Sequence, residues 1–218
     1  MNLEEISFHR WAIVALDFDG TATNWPSPEE EGDCEIDLSG IVHSDTEHAD
    51  FLQKLQEIEW DESELFKKYD HLNQLYLERR EWEIKDAWKQ IGKMYGKNGQ
   101  WNKTIMQIIE RANSADADVF IITASWQILV KAIIKEAGIK VKAVLGKTFV
   151  TNREWYNTSV RFHPRWEKKI QVLAKQLWGN PLIHLACGDS ATSDGPMVRL
   201  AQHGFLRNKE TGLFEPTK

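Results

Sequence analysis

Two aspartates stand two residues apart in Asp17-Phe18-Asp19-Gly20-Thr21, directly after the apolar stretch Trp11-Ala12-Ile13-Val14-Ala15-Leu16. In extended chain, side chains at i and i+2 share a side, and a glycine just beyond them lets the backbone turn sharply. Both carboxylates can then face one small site. An ionised carboxylate can attack phosphorus as a nucleophile, and a second one, held protonated, can donate to the departing oxygen and later deprotonate water. Two acids so close also attract a divalent cation. The spacing suggests phosphoryl-transfer chemistry, although the same residue types are also common turn formers that close a strand.

Other apolar runs end in comparable groups. Residues 182–187 lead into Gly188-Asp189-Ser190-Ala191-Thr192-Ser193-Asp194, again a glycine and two carboxylates. Acid-rich strand ends at 17–19 and 189–194 suit a hard cation such as Mg²⁺, which takes oxygen ligands. The run 117–122 ends in Thr123-Ala124-Ser125, where a hydroxyl and the N–H groups of an expected helix start fit an anionic oxygen. Ser and Thr are equally the residues of an ordinary helix cap. Lys168 and Lys169 open the helix expected before residue 182, and lysines on a helix usually reach solvent.

The elements that must position these groups are legible as four short runs rich in Ile, Val, Leu and Phe, at 11–16, 117–122, 139–145 and 182–187. Between the later ones, Ile128, Leu129, Ala132, Ile133 and Ala137 share a helical face, as do Ile170, Leu173, Ala174 and Leu177. Strands alternating with helices predict an α/β fold, a Rossmann-like parallel sheet with helices on both faces and ligands beyond the strands' C-terminal ends.

Nearly a hundred residues separate the first two runs, far more than a crossover needs. The expected division is a core of residues 1–22 and 100–218 with a mostly helical insertion at 23–99. Pro26, Pro28 and Glu29-Glu30-Glu31 read as an exposed connection. Ser44-Asp45-Thr46-Glu47 predicts a capping box for a helix turning Phe51, Leu52, Leu55 and Ile58 inward, and Asp61-Glu62-Ser63-Glu64 a second cap. Leu65, Tyr69, Leu72 and Tyr76, then Ile84, Trp88, Ile91 and Tyr95, continue the helical spacing, and a helix around Trp101, Ile105, Ile108, Ile109 and Ala112 returns to the core. Residues 147–163 predict a β-hairpin flap, and the tail from Arg207 to Lys218 a strand end or loose terminus.

Composition excludes several classes. The chain has 218 residues, 42% hydrophobic and 28% charged, with a formal charge of −6 and both signs mixed along it. No basic stripe speaks for nucleic acid. No stretch is long and apolar enough for a signal peptide or membrane span, so the expectation is a soluble, cytoplasmic protein. Cys34 and Cys187 predict free thiols rather than a disulfide. The ten Trp residues are expected mainly to bury area between helices, and His43, Asp45, Glu47 and His48 fit a polar helix start better than a zinc site.

The motifs together resemble the haloacid dehalogenase superfamily, in its phosphoserine-phosphatase-like group with a helical cap after the first motif. The resemblance rests on Asp17-Phe18-Asp19-Gly20-Thr21, on Thr123 after an apolar strand, on Lys168 or Lys169, and on Gly188-Asp189 with Asp194. It implies that Asp17 is the nucleophile, forming an aspartyl-phosphate, and that Asp19 is the acid and base. It also implies that Gly20, Thr21, Thr123, Ala124 and Ser125 bind the substrate, with a lysine, by preference Lys169, on the phosphoryl oxygens. Mg²⁺ would sit among Asp17, the Asp19 carbonyl, Asp189 and Asp194, the last supporting the metal or orienting the lysine. The retained Asp19 favours phosphate esters over halides or phosphonates. Asp189 and Asp194 stand five apart, where this group usually has four. The expected activity is hydrolysis of a small phosphorylated metabolite, with a phosphoprotein phosphatase, a phosphomutase and a non-catalytic protein binding through its Trp-rich cap as alternatives.

Overall fold

The computed structural model describes residues 2–24, 34–57, 71–77, 79, 81–152, 157–162, 167–179 and 182–217. At its centre Ile13–Leu16 (β1) pairs in parallel with Asp118–Trp126 (β2) on one side and Ile183–Gly188 (β5) on the other. Outward from β2 come Ala143–Thr151 (β3), parallel, and Asn157–Phe162 (β4), antiparallel. Outward from β5 come His203–Arg207 (β6), parallel, and Phe214–Pro216 (β7), antiparallel. The seven-stranded order is β4-β3-β2-β1-β5-β6-β7. The chain moves one way from β1 and later returns to its other side, so a crevice opens at the C-terminal ends of β1 and β5.

The helices are Cys34–Val42 (α1), Asp45–Glu57 (α2), Glu81–Asn98 (α3), Lys103–Ser114 (α4), Gln127–Glu136 (α5), Glu167–Gln176 (α6) and Gly195–Leu200 (α7). Alternate strand residues bury on opposite faces. Val14, Leu16, Val119, Ile121 and Leu185 join one core with Ile105 and Ile109 of α4 and Leu129 and Ile133 of α5. Ala15, Phe120, Ile122, Leu145 and Ala186 join the other with Leu173 of α6 and Met197 and Val198 of α7. A sheet covered on both sides is why these strands read as continuous apolar runs rather than alternating ones.

The structure departs from the sequence expectation in two places. The second strand does not stop at residue 122: β2 runs on through Thr123-Ala124-Ser125 to Trp126, and α5 starts only at Gln127, so those N–H groups do not open a helix. The third strand starts later than residue 139, because the Ile139 N–H donates to the Ile134 carbonyl and belongs to the end of α5. It then runs unbroken into the first arm of the hairpin, β3 pairing with β4 from Thr148↔Phe162 to Thr151↔Asn157. Of the two forms expected for the tail, the strand end is the one observed: β6 and β7 form an edge hairpin in which Asn208 Oδ1 accepts from Glu210 and Thr211 N–H groups.

The insertion leaves and returns through paired chain. Thr23 bridges Trp101 antiparallel, Asn24 N–H donates to Gln100 O (2.7 Å) and Asn102 N–H to Ala22 O (3.0 Å). Asn102 Oδ1 then caps α4, accepting from Thr104 and Ile105 N–H groups. At α2, Ser44 and Glu47 bond reciprocally as a capping box, and Phe51 and Leu55 are buried. Ile58, the connection at 26–31, the second cap at 61–64, and Leu65 and Tyr69 lie outside the described residues. Leu72, Tyr76, Ile84, Trp88, Ile91 and Tyr95 are all buried, whereas Trp82 is exposed.

Helix α3 lies directly on α5. A Cβ at Gly92 would stand 3.0 Å from the Ala132 carbonyl, and one at Gly96 would stand 2.6 Å from Glu136 Cβ and 2.8 Å from the Ile133 oxygen. These are mostly backbone atoms, which cannot swing aside. Alanine exceeds glycine in helix propensity by about 1 kcal/mol, but overpacking costs about 1–3 kcal/mol. Gly96→Ala is therefore expected to destabilise the protein, lowering its melting midpoint by about 2–4 °C for each kcal/mol lost. Gly179→Ala, where a Cβ meets nothing within 4 Å, is expected to change it little. An unchanged or raised midpoint for Gly96→Ala would contradict the close helix contact.

Candidate active site

Asp17 continues β1 by one residue, its N–H donating to the Cys187 carbonyl of β5 (3.0 Å). Asp17 and Asp19 are both extended, and Gly20 turns the chain at φ 71°, a left-handed conformation that favours glycine. The turn also makes room: a Cβ on Gly20 would stand 2.5 Å from Asp189 Oδ2. Gly188 does the same on the facing strand, where a Cβ would meet Asp194 Cβ at 2.3 Å. The two glycines thus let two aspartates pack where larger residues would expel them.

Lys169 closes the group. It lies on the inner face of α6, and its Nζ donates to Asp17 Oδ1 and to Asp194 Oδ1, each at 2.5 Å, with the lysine only 1% exposed. Lys168 faces outward and is exposed. Asp194 Oδ2 accepts from the Asp189 and Ser190 N–H groups (3.1 and 3.0 Å), so both its oxygens are engaged inside the protein. Thr21 Oγ1 donates to Asp17 Oδ2 at 3.4 Å. On the other side, Asp19 Oδ2 accepts from Thr123 Oγ1 (3.2 Å) and Ser125 Oγ (2.7 Å), and Ser125 N–H donates to Thr123 Oγ1. Ala124 stands between these two hydroxyl residues near the end of β2.

Four carboxylates share this space. Burial, then the neighbouring Asp194 charge, raises the Asp17 carboxyl well above its usual range, against the pull of Lys169. Burial likewise raises Asp19, opposed by its hydroxyl partners. Asp189 is pushed up to about 6 by burial and by Asp194, with Lys209 on the β6–β7 turn offsetting part of the effect. Burial works against the charge on Lys169, but Asp17 and Asp194 outweigh it and hold the ammonium above the ordinary lysine value. The site is a negatively charged crevice that a cation would relieve. Oxygen atoms of Asp17, Asp189 and Asp194 all lie within 4.8 Å of one another, an all-carboxylate donor set suited to a hard divalent ion. Among the described residues no other such cluster occurs. His43 and His48 instead each bond Ser39 Oγ, at 2.9 and 3.1 Å.

Sequence reasoning missed two cations here. Arg207, read as the start of a strand end or loose terminus, donates from Nη1 to the Gly20 carbonyl at 2.8 Å and so ties the turn after Asp19 to the edge hairpin. Nothing in its spacing betrays this, because the contact spans most of the chain. Lys147 is 1% exposed, with Nζ 4.8 Å from the Trp126 ring centre and 3.4 Å from Asn73 Oδ1. It lies within β3, two residues past the end of the apolar run 139–145, and its surroundings come from residues distant in the chain.

No family model matches the sequence, and no curated protein matches it. Solved structures do match. A HAD-family hydrolase from Salmonella enterica subsp. enterica serovar Typhi aligns at TM-score 0.56 and 15% identity over 90% of this chain, which spans only 62% of that one. A protein of unknown function from Bordetella pertussis Tohama I aligns at 0.65 and 11% over 87% and 86% of the two chains. A phosphoserine phosphatase in its apo form aligns at 0.53 and 14% over 89% and 84%. These likenesses are of fold: this chain shares with those structures a Rossmann-like α/β core.

Proposed function

We propose that the chain is a Mg²⁺-dependent phosphomonoester hydrolase acting through an aspartyl-phosphate on Asp17, with a small phosphorylated metabolite as substrate. The core would be residues 1–22 and 100–218 and the cap residues 23–99. The observation that carries the reading is the Lys169 ammonium at 2.5 Å from Asp17, with Asp189 and Asp194 oxygens within 4.8 Å. Crowding ionisable groups this way is costly for stability alone.

In this reading an Asp17 oxygen attacks phosphorus and the ester oxygen leaves with a proton from Asp19. Burial favours the protonated form of Asp19, as that task requires. A water then attacks the phosphorus of the aspartyl-phosphate, gives its proton to Asp19, and releases phosphate and the free Asp17 carboxylate. Lys169 steadies the phosphoryl oxygens, which Thr21 and Thr123, with the backbone around Gly20 and Ala124, surround. Ser125 and Thr123 aim the Asp19 carboxyl. Asp194, with both oxygens engaged, fits the role of orienting Lys169 and the Asp189 loop. Mg²⁺ held by Asp17, Asp189 and the Asp19 backbone would neutralise charge on the transferring group.

A panel of phosphomonoesters with Mg²⁺ tests the reading. Turnover is expected, with Asp17→Asn lowering it about a thousandfold or more; no hydrolysis of any ester, together with no effect of the substitution, would end it. Asp19→Asn is expected to slow turnover about 10²–10⁴-fold while Mg²⁺ still binds; lost metal binding in that variant contradicts the backbone contact.

The raised carboxyls give a pH test on stability. Asp189 titrates near 6 when folded against an ordinary 3.8, so the metal-free folded state takes up a proton between those values. Its favourable contribution is present below that window and is lost as pH rises through it. A bound cation removes the loss. The increase in melting midpoint given by Mg²⁺ is expected to be small at pH 4.5, to grow towards pH 7.5, and to vanish in Asp189→Asn. An equal increase at both pH values would overturn this placement of the ion.

A further inference from the structure

In the segment after β1 the backbone angles, −71° and 129° at Asp19 and 71° and −10° at Gly20, are those of a type II β-turn. Its base is closed by Thr23, whose N–H and hydroxyl both donate to the Phe18 carbonyl, at 3.1 and 3.2 Å. Its two sides are held from different strands. Towards β2, the Asp19 carboxylate accepts from Thr123 and Ser125. On the other side the Gly20 carbonyl accepts from Arg207 Nη1 at 2.8 Å. Strand β5 lies between β1 and β6, so the guanidinium reaches over the end of a whole strand to meet this carbonyl. Arg207 is itself seated: it pairs with Phe214 across the hairpin, and its Nε donates to the Gly212 carbonyl at 3.4 Å. Among the described residues it has no carboxylate partner, so its charge is directed at the turn.

Glycine is the residue least restricted in φ and ψ, so a turn with glycine at its tip keeps one conformation only when its peptide groups are held. Gly20 joins Asp19, the acid and base of the proposed reaction, to Thr21, whose hydroxyl bonds Asp17. A guanidinium stays charged at every working pH and has a rigid fork of donors, so it holds a carbonyl more firmly than a neutral donor would. We propose that Arg207 is a positioning residue: through the Gly20 carbonyl it fixes the turn that presents Asp19 and Thr21, and so makes the β6–β7 hairpin part of the catalytic apparatus. The inference rests on the phosphatase reading and deepens it. In this role Arg207 touches no reacting atom; it limits the positions from which Asp19 can meet the leaving oxygen. Displacing a catalytic group by about 1 Å can cost about a hundredfold in rate.

The test compares Arg207→Met and Arg207→Gln with Asn208→Ala, which removes the bonds Asn208 makes to Glu210, Thr211 and Glu215 within the hairpin but leaves the Gly20 carbonyl alone. With Mg²⁺ and the phosphomonoester turned over fastest, both Arg207 variants are expected to lower kcat about tenfold to a hundredfold, with KM changed less than about threefold, the pattern of an interaction that serves the transition state. Arg207→Lys is expected to recover most of the rate, and Asn208→Ala to keep the wild-type kcat whatever it does to the melting midpoint. Amide hydrogen exchange at Gly20 and Thr21 gives a readout without catalysis, and it is expected to quicken in both Arg207 variants but not in Asn208→Ala. An arginine that only staples the hairpin would lower the melting midpoint and leave kcat and exchange at the turn as in wild type. That result overturns the proposal, and so does a kcat lost equally in Asn208→Ala, or exchange at the turn that is unmoved by the Arg207 substitutions. Quickened exchange in a protein that turns over no ester would leave the hold on the turn standing and sink hydrolysis alone.

Discussion

A single ammonium group, that of Lys169, sits between two carboxylates almost out of reach of water, and the rest of the molecule is arranged to make that tolerable. Removing a charge from water costs several kcal/mol after relaxation, and short charge-assisted hydrogen bonds offset this only when partners are held in place. Here Asp17 is fixed by β1 and its bond to β5, Asp194 by two N–H groups at the end of β5, and Lys169 by a helix packed through Leu173 on the sheet. Parallel strands covered on both faces supply the rigidity. A looser scaffold would let water in or let the charges part.

The same constraint explains the glycines. Gly20 stands where a Cβ would collide with Asp189 of the neighbouring strand end, and Gly188 where one would collide with Asp194 of its own loop. Their lack of side chains converts two strand ends into one concave, carboxylate-lined space. That space is electrostatically strained, with Asp17, Asp19 and Asp189 all raised above their ordinary range. Such stored repulsion belongs to sites that meet a cation and an electrophile, and it is the physical content of the phosphoryl-transfer reading.

The insertion is not merely tethered. Its neck is hydrogen-bonded at Thr23–Trp101, its long helix α3 approaches α5 at backbone distance through Gly92 and Gly96, and its Tyr76 joins the aromatic stack of Trp126 and Phe149. A helix seated on backbone resists sliding, so the insertion is held firmly against α5. Asn73 of the insertion also meets Lys147 of β3, accepting from its ammonium at 3.4 Å.

Periodicity and turn chemistry carried much of this into the open before any coordinates. The apolar runs around residues 13–16, 118–122 and 183–187, the capping box at Ser44 and Glu47, and the aspartates at strand ends are local signals, because side-chain alternation and capping depend on near neighbours. Three features were not legible. Strand β2 continues through Thr123 and Ser125 to pair Trp126 with Lys147, and Asp19, a hundred residues away, accepts from their hydroxyls. The choice between Lys168 and Lys169 turns on which side of α6 meets the sheet. Arg207 and Lys147 gain meaning only from Gly20 and from Trp126 with Asn73. The sequence by itself determined which residue types end the strands and hence the class of chemistry they can do. Only the tertiary structure decided which charges face one another, because contact between groups far apart in the chain depends on the sheet order and on which helix face is buried, and no local spacing records either.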